Sequence, residues 1–403
     1  MTSKERILKA VDMCRSEMVD FTCDLVEIAT ENPPGRCYLE CAKFICERLK
    51  RLGLECELME VDTCGEESRR YCVLASYGGG TPTLYFHGHY DVVPGAGNGQ
   101  FGARLKSGKL FGRGSADMKG GLAAMLYAVR ILKLCGVSLN GKVGITIVPD
   151  EETGGKYGSC YLLEKEVLGK DGVGMLSPEP TSGAIWNANR GALSLLVKVK
   201  GKSVHAILQH EGVNAFEQMV TVVNELMRLK SQVEARRTSF RIEPEGAQAS
   251  ILMLGGLCGG GVNFNIVPDE CWFTVERRMN PEESLEMEKQ VLVGLLEEVG
   301  KKGIELSYEI LQEGESGGSP EETDLARALS SSVEELTGVA PEFEMCPGLL
   351  ETRFYAQKGV PAYAYGPGLI SVAHGPQEFV EVDAMCHCAA VYALTAMKML
   401  NDG

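Results

Sequence analysis

Thr83 to Val93 reads TLYFHGHYDVV, an apolar run whose second half includes polar residues. The segment 117–136, DMKGGLAAMLYAVRILKLCG, predicts a helix closed by glycine, and 142–150 reads KVGITIVPD, a second apolar run. A strand, a helix and another strand in this order are typical of a mostly parallel sheet with helices on both faces. Functional residues in such sheets gather beyond the carboxyl ends of the strands. The sequence therefore predicts an α/β fold with its site at that edge.

The same alternation continues on either side of this stretch. Apolar periodicity predicts helices over 4–28, 38–53, 322–338 and 382–400, and strands over 54–61 and 71–77. These elements extend the predicted α/β domain toward both ends of the chain.

The middle of the chain follows a different pattern. Strands and helices are predicted there in the order β-α-β-β-α-β, which is typical of a ferredoxin-like α+β unit. Because α/β elements resume after it, we expect an insertion. A chain of 403 residues commonly forms two domains. We therefore expect one discontinuous domain over 1–184 and 312–403, and an inserted domain over 185–311.

The composition restricts the function. The chain carries 40 Lys and Arg against 55 Asp and Glu, and this net charge of -15 argues against nucleic acid and anionic membranes as partners. No segment reaches the roughly 18 consecutive apolar residues of a spanning helix, and the N-terminus shows no signal-peptide pattern. We expect a cytoplasmic protein whose partner is a small molecule.

The fifteen cysteines are scattered and form no paired CxxC motif. In a large chain without an export signal, reduced thiols are expected in preference to disulfides. Cys386 and Cys388 flank His387 on a helical run, and we interpret them as packing residues rather than metal ligands.

The end of the first quoted strand holds a possible metal-binding pattern. With a strand's period of two residues, His87, His89 and Asp91 share one face. A histidine that binds a metal commonly donates its second ring N–H to a carboxylate, and Asp91 is placed to accept one from His89. On this pattern alone, a structural histidine is the alternative.

A glycine-rich loop, GRGSADMKGG at 112–121, carries Asp117 into the quoted helix. Aspartate is a good helix N-cap, so a capping role is one interpretation. The loop matches neither G-x-x-x-x-G-K-[ST] nor G-x-G-x-x-G, which argues against nucleotide binding.

Three consecutive carboxylates, Asp150, Glu151 and Glu152, directly follow the second quoted strand. They repel one another unless solvent or cations intervene. A solvated loop is one explanation; in a metal site, one carboxylate binds the ion and its neighbour acts as general base. Glu179, between two prolines, and His374, after a glycine-rich turn, complete a possible ligand set.

Taken in order, these clusters resemble the metallopeptidase and amidohydrolase family of acetylornithine deacetylase, succinyl-diaminopimelate desuccinylase, aminoacylase-1 and carboxypeptidase G. The resemblance extends from the NPPG segment at 32–35 to the terminal helix. It implies a fold of the dinuclear zinc peptidase type, whose inserted domain is a lid and the dimerisation surface of a homodimer. It also implies hydrolysis of an amide bond in a small, carboxylate-bearing substrate.

The resemblance implies one ligand set for two divalent metal ions. His89 and Glu179 would bind one ion, His374 and Glu152 the other, and Asp117 would bridge both. Two imidazoles and three carboxylates suit zinc, and cobalt or manganese could occupy the same set.

The resemblance also implies two catalytic residues beside the ions. Asp91 would orient His89, and Glu151 would be the general base that takes a proton from the attacking water and passes it to the departing amine. This chemistry needs no covalent enzyme intermediate.

In the inserted domain, the resemblance implies contacts to the substrate. His205, which follows the first inserted strand, would stabilise the oxyanion, often in the partner subunit's site. The segments NFNIVPD at 263–269 and ERR at 276–278 look like the family's N-x-x-P-D and D-x-R motifs. Asn265 and Arg278 would then hold a substrate carboxylate, since an arginine fork fits its geometry.

One segment departs from the family pattern. Relatives commonly have a Thr/Ser-Asp-Ala-Arg-Phe motif where residues 350–354 read LETRF. Leu350 makes that wall of the pocket more apolar, and Glu351 reaches further than aspartate. Arg353 would either contact a substrate carboxylate or pair with Glu351.

The leading hypothesis is a deacylase that acts on an N-acyl amino acid or N-acyl diamino acid. A dipeptidase or aminopeptidase of the same family is the nearest alternative, because the metal-site residues do not report what flanks the scissile bond. A non-catalytic binding protein on this fold and a dinuclear phosphoesterase are weaker alternatives, since all the predicted catalytic groups are present.

Overall fold

A computed structural model describes residues 2–63, 69–97 and 99–401. The chain divides into two compact units. The first unit comprises Met1–Asn187, Gly318–Glu344 and Leu350–Gly403, and the second comprises Ala188–Gly317 with Met345–Leu349. The boundaries expected from the sequence were 184/185 and 311/312, whereas these units divide after Asn187 and Gly317.

The longer α-helices of the described part of the chain follow the predicted helical runs, whereas the short helices at Ser159–Glu164 and Thr352–Ala356 were not predicted. In chain order, the α-helices are α1 (Ser3–Glu27), α2 (Tyr38–Arg51), α3 (Gly120–Leu134), α4 (Ser159–Glu164), α5 (Ala215–Val233), α6 (Leu285–Lys301), α7 (Asp324–Thr337), α8 (Thr352–Ala356) and α9 (Val382–Leu400). A capping box starts α1, because Thr2 accepts from the Glu5 backbone N–H and the Glu5 carboxylate accepts from that of Thr2. Among the described residues, each helix falls short of the length and apolarity needed to cross a membrane.

The strands lie between these helices in chain order. They are β1 (Cys56–Val61), β2 (Arg70–Gly79), β3 (Thr83–His89), β4 (Arg104–Lys106), β5 (Lys109–Phe111), β6 (Gly141–Val148), β7 (Gly172–Ser177), β8 (Ile185–Asn189), β9 (Gly191–Lys200), β10 (Ile251–Gly260), β11 (Glu270–Met279), β12 (Leu306–Gly314), β13 (Gly317–Gly318), β14 (Phe343–Cys346), β15 (Ala362–Ala364) and β16 (Phe379–Glu381).

The largest sheet follows the order β1-β2-β6-β3-β7-β15-β8-β13, with β14 paired to β8. Its central strands β6, β3, β7 and β15 are parallel, and β1 and β2 are antiparallel at one edge. Helices α1, α3 and α9 pack together in the core of the same unit. The predicted α/β fold with a mostly parallel sheet is therefore confirmed. Because β3, β6 and β7 are parallel, the residues that follow them start from one edge of the sheet.

A small sheet of order β16-β5-β4 joins two distant loops. Phe111, at the end of β5, pairs with Phe379, at the start of β16, and their rings lie 5.5 Å apart. The loop that carries Asp117 begins directly after Phe111, and the loop that carries His374 ends directly before Phe379. This pairing brings the two loops together.

The second unit has an antiparallel sheet of order β10-β11-β9-β12, accompanied by α5 and α6. Along β9, Leu193, Leu195, Val197 and Val199 are buried, while the residues between them are partly exposed. This period of two places one face of the strand in the core of the unit. The predicted ferredoxin-like β-α-β-β-α-β unit is therefore confirmed.

One cysteine pair departs from the expected reduced state. Cys46 in α2 and Cys56 in β1 form a disulfide, with their Cα atoms 5.6 Å apart. The helix and the strand are connected by a short turn, which brings two thiols ten residues apart within bonding distance. Twelve other described cysteines are free, and Cys64 lies outside the described residues.

Candidate metal centre

Five side chains converge at the carboxyl edge of the large sheet. They form two groups of three, and within each group one ligand atom from every residue lies within 4.8 Å of the others. The first group is His89, Asp117 and Glu179, and the second is Asp117, Glu152 and His374. The structure therefore brings together all five residues predicted as metal ligands, and Asp117 is the member common to both groups.

Asp117 presents one carboxylate oxygen to each imidazole. Its Oδ1 lies 3.3 Å from His89 Nε2, and its Oδ2 lies 3.2 Å from His374 Nε2. His374 Nε2 also lies 3.2 Å from Glu152 Oε1. A carboxylate that faces two ligand sets through two oxygens is suited to bridge two cations.

A buried ion pair holds the loop of Asp117. Arg113 Nη1 lies 2.6 Å from Glu378 Oε2, and both residues are buried. Glu378 Oε1 accepts hydrogen bonds from the backbone N–H groups of Ala116 and Asp117. Arg113 Nη2 donates to the His374 carbonyl at 3.0 Å. One ion pair therefore supports the backbone of two predicted ligands.

Asp91 connects His89 to the loop of acidic residues. Its Oδ1 lies 3.3 Å from His89 Nδ1. The same carboxylate accepts the backbone N–H groups of Glu151 and Glu152 at 3.2 and 3.1 Å. Asn32 Nδ2 donates to Asp91 Oδ2 at 2.8 Å. These contacts hold the imidazole and the start of the acidic loop in one network, and Glu151 Oε2 lies 3.9 Å from His89 Nε2.

Burial raises the pKa of three carboxyl groups in this cluster. The pKa of Glu179 rises from 4.5 to about 8, and that of Glu151 is raised well above 4.5, because both groups are removed from water and face other carboxylates. The pKa of Glu152 is raised mainly by burial as well. A buried carboxyl group ionises readily only when positive charge lies nearby.

The pKa values of the two imidazoles are also raised, which favours their protonated, positively charged form when no metal is bound. Burial lowers the pKa of His89, but the carboxylates of Asp117 and Asp91 outweigh it and raise that pKa well above 6.5. Asp117 and Glu152 raise the pKa of His374 to about 10. A metal binds the neutral imidazole, so bound cations would replace these protons.

The donor set fits two divalent cations. His89 Nε2 and Glu152 Oε1 are buried and complete no well-aligned hydrogen bond among the described residues. Both atoms face the shared carboxylate, where a cation would satisfy them. His374 is half-exposed, which leaves this side of the site open to solvent.

His87 lies outside the ligand groups, although the strand pattern placed it on the face of His89. Its Nε2 lies 2.8 Å from Glu351 Oε2 and 3.0 Å from Ser159 Oγ, and its Nδ1 lies 2.6 Å from Thr146 Oγ1. His87 is fully buried and Glu351 nearly so. This histidine therefore pairs with the glutamate that departs from the family pattern.

Arg353 does not form the ion pair with Glu351 that was one of its two predicted roles. Its Nη1 donates to the Leu350 carbonyl at 2.6 Å and its Nη2 to the Gly154 carbonyl at 2.9 Å. The Glu351 carboxylate is directed to His87 instead. Arg353 is 2% exposed.

Three predicted site residues lie in the second unit. His205 forms a bridge with Ile266, and the Ala206 N–H donates to the Asn265 carbonyl at 2.9 Å. His205 and Asn265 are therefore neighbours. Arg278 lies on β11, where its Nε pairs with Glu276.

The cysteines around His387 are packing residues in the structure. Cys388 is buried in α9, and its thiol contacts the Tyr365 carbonyl. His387 Nε2 lies 2.9 Å from the Tyr365 hydroxyl. Neither belongs to the ligand groups found among the described residues.

With this geometry established, the chain can be compared with known proteins. Residues 85–398 match the family described as peptidase family M20/M25/M40. The chain belongs to this family. The matched range contains every predicted metal ligand and Glu151, and the chain is an M20 hydrolase that acts on amides.

Relatives of the M20 chain are found along its whole length. A probable succinyl-diaminopimelate desuccinylase from Staphylococcus epidermidis is 25% identical over 411 residues, covering 94% of this chain and 97% of the relative. The dipeptidase Dug1p of Saccharomyces cerevisiae superposes with a TM-score of 0.79 at 14% identity, covering 98% of both chains. Bacillus subtilis YXEP, a dinuclear metal-binding peptidase of the M20 family, superposes with a TM-score of 0.67 at 16% identity, covering 96% and 99%. These structures confirm the M20 fold.

Sequence reasoning missed three supporting residues of this M20 site. Asn32 binds Asp91, Glu378 binds the Asp117 loop, and Glu351 binds His87. Asn32 and Glu378 lie in segments that the family resemblance covers. Asn32 directly precedes a proline, and Glu378 lies four residues after a predicted ligand, and these positions were the available signals. The pairing of His87 with Glu351 has no local signal, because 264 residues separate them.

Proposed function

We propose that the chain is a metal-dependent hydrolase that cleaves the amide bond of an N-acyl amino acid or N-acyl diamino acid. The observation that carries the proposal is the two ligand groups joined through Asp117, with Glu151 beside them. Support for the substrate class comes from relatives named succinyl-diaminopimelate desuccinylase. A dipeptidase or aminopeptidase of the same family remains the alternative that the experiment below tests.

The proposed cofactor is a pair of zinc ions. His89 and Glu179 would hold one ion, Glu152 and His374 the other, and Asp117 would bridge them. Imidazole and carboxylate ligands suit zinc, and cobalt or manganese can bind the same donors. The excess of buried carboxyl groups over imidazoles supports two dications rather than one.

In the proposed mechanism, Glu151 moves the proton. Two bound cations would activate a water and polarise the amide carbonyl. Glu151 would accept the proton of that water at its carboxylate and then donate it to the departing amine. Burial raises the pKa of Glu151, and the positive charge of bound cations would oppose this rise and favour the ionised carboxylate that accepts the proton. Asp91 would keep His89 and the Glu151 backbone in position through its contacts to both.

The second unit is proposed to contact the substrate. His205 Nδ1 accepts the Ile207 N–H at 3.3 Å, so a neutral ring carries its hydrogen on Nε2 and can donate to an oxyanion. Asn265 and Arg278 are proposed to hold the substrate carboxylate. His205→Ala is expected to lower turnover without changing the bound metal.

A homodimer through the second unit is also proposed, in which this unit serves as lid and dimerisation domain. Strand β10 lies at the edge of its sheet, where no further strand pairs with it in the described part of the chain, and it exposes Ile251 and Met253. On α5, Phe216, Val220 and Met227 are likewise exposed. Apolar side chains beside an open strand edge are typical of a surface that pairs with a second copy.

We place the enzyme in the cytoplasm. Twelve of the described cysteines are free thiols, which suits a reducing compartment. The Cys46–Cys56 disulfide is an exception to this pattern, since disulfides are rare in cytoplasmic proteins.

The proposal is tested by chelation, reconstitution and a substrate panel. The metal-stripped protein is expected to be inactive and to recover on addition of zinc or cobalt. On the reconstituted protein, N-acetylornithine and N-succinyl-diaminopimelate are compared with small dipeptides. Faster turnover of dipeptides would favour the peptidase alternative, binding without turnover would favour a non-catalytic protein, and full activity after stripping would refute the metal mechanism.

A further inference from the structure

We propose that Arg353 is a positioning residue that holds the loop of the general base, and that it does not bind the substrate. We call residues 150–155 the base loop, because they contain Glu151. The inference rests on the proposed function, since it takes Glu151 as the base. The family resemblance gave a substrate contact as one role for this residue, whereas we infer a positioning role.

The start of the base loop is already held from one side. Asp91 accepts the backbone N–H groups of Glu151 and Glu152. Asn32 Nδ2 donates to Thr153 Oγ1 at 2.9 Å as well as to Asp91. These contacts leave the end of the loop to be held by other groups.

Arg353 holds that end. Its Nη2 donates to the Gly154 carbonyl at 2.9 Å, while its Nη1 donates to the Leu350 carbonyl at 2.6 Å. The guanidinium also stacks on Phe354, with 4.2 Å between its carbon and the ring centroid. A planar guanidinium with two committed nitrogens links the base loop to the segment 350–354 in one orientation.

Close packing reinforces this link at Gly155. A Cβ atom there would lie 3.0 Å from Glu351 Oε1 and 3.3 Å from Phe354 Cε2, and the residue has a φ of +75°. A side chain at this position would press on the Glu351 and Phe354 side chains, and the backbone conformation favours glycine. The base loop therefore rests directly on Glu351 and Phe354.

The same segment is fixed to the strand of a metal ligand. Glu351 Oε2 pairs with His87 Nε2 at 2.8 Å, and His87 lies two residues before His89 on β3. Through this pair, the segment 350–354 contacts both the base loop and the strand that carries His89. The distance between the base and the metal ligands thus depends on contacts that Arg353 completes.

The burial of Arg353 argues against a substrate contact. The residue is 2% exposed, and both terminal nitrogens already donate to backbone carbonyls. Bidentate recognition of a carboxylate needs two parallel N–H groups facing the ligand. The two N–H groups that bind the Gly154 and Leu350 carbonyls are committed, and the burial of the side chain leaves a ligand little access to the remaining ones.

The test compares Arg353→Met and Arg353→Lys with wild type and with Lys358→Met. Lys358 is an exposed cation shortly after the same helix α8, so its variant controls for loss of charge. Each zinc-reconstituted protein is assayed with the panel member that wild type hydrolyses fastest. Bound metal, Tm and hydrogen exchange of peptides covering 150–158 are also measured.

We expect Arg353→Met to lower kcat about tenfold to hundredfold, because a displacement of about 1 Å in a catalytic group has an effect of this size. KM should stay within about twofold and bound metal should not change, while exchange in the base loop becomes faster. Arg353→Lys should give an intermediate kcat, since lysine can retain one carbonyl contact. Lys358→Met should match wild type.

Two results would overturn the inference. A KM raised by tenfold or more with unchanged kcat would identify a substrate clamp, and a lower Tm with unchanged kinetics would identify a purely structural role. If Arg353→Met does not fold, the kinetics of Arg353→Lys distinguish positioning from substrate binding, because lysine cannot form the bidentate contact to a carboxylate. Hydrolysis that survives Glu151→Gln would instead reject the proposed function, before the Arg353 variants are compared.

Discussion

Two clusters of mostly buried charged side chains in this chain differ in their balance of charge. In the second unit, Arg236 and Arg277 face Glu283 and Glu288. Arg277 Nη2 lies 2.6 Å from Glu283 and 2.9 Å from Glu288, and Arg236 Nη1 lies 2.8 and 2.6 Å from the same two residues. In the metal centre, carboxyl groups outnumber the imidazoles that face them.

The pKa values of the acidic residues reflect this difference. Burial alone would raise the pKa of Glu283, but hydrogen bonds from Ser250, Asn280 and Arg236 and the charge of Arg277 lower it. The pKa of Glu179 instead rises to about 8. A balanced cluster neutralises its own charge, whereas a cluster with excess acid needs added cations. We therefore interpret the cluster of the second unit as a structural network and the metal centre as a site for ions.

The largest expected effect comes from removing the base of the acidic cluster. Glu151→Gln should lower kcat by about a thousandfold or more, because the amide cannot accept the proton, while bound metal is retained. Glu283→Gln, in the balanced cluster, should leave kcat unchanged. Steady-state kinetics and metal analysis of both variants check this. Near-normal turnover by Glu151→Gln would contradict its role as base.

The next effect concerns stability. Arg277→Met should lower the free energy of unfolding by about 3 kcal/mol, the low end for a broken buried pair, since Glu283 and Glu288 keep the partly exposed Arg236 as partner. The exposed pair of Arg228 with Glu225 gives the control, and Arg228→Met should leave the free energy of unfolding nearly unchanged. Urea unfolding measures both. Equal losses in the two variants would show that the buried network contributes no more than a surface pair.

Metal removal should produce a smaller effect that depends on pH. Without metal, Glu179 and His374 have pKa values of about 8 and about 10, above their ordinary values of 4.5 and 6.5. The folded protein then binds more protons than the unfolded chain, so its stability falls as pH rises through these folded-state values. The Tm of stripped protein should therefore fall as pH rises from about 4.5 to about 10, most steeply between about pH 6.5 and 8, where both groups hold extra protons in the folded state. Zinc should reduce that slope, and an equal slope with zinc bound would contradict the assignment.

The smallest expected effect involves a histidine outside both clusters. Burial lowers the pKa of His387 below 6.5, in contrast to the histidines of the metal centre. A lowered folded-state pKa contributes stability that is present above pH 6.5 and is lost as pH falls through the folded-state value. His387→Gln should therefore flatten the fall of Tm below pH 6.5 without affecting bound metal. Thermal unfolding across this range checks the slope, and an unchanged slope would show that His387 is not its source.

Much of the architecture and the proximity of the ligands could be predicted from local patterns. His89 lies at the end of one strand and Glu152 shortly after the end of another, both predicted to be parallel, and parallel strands end at one edge of a sheet. The roles given to these residues, and to Asp91, Glu151 and His205, stay predictions that the experiments above address. The contacts of Arg353 were not predictable, because a side chain's choice between a carboxylate and a backbone carbonyl depends on packing.

By itself, the sequence determined the order of strands and helices, the insertion of a ferredoxin-like unit and the residues that follow each central strand. These features depend on periodicity and on short motifs, which act over a few residues. Only the tertiary structure decided that Glu378 supports the Asp117 loop, that His87 pairs with Glu351, and that Cys46 and Cys56 are joined. Such pairings depend on where the packed elements place their side chains in space, and no local pattern specifies that.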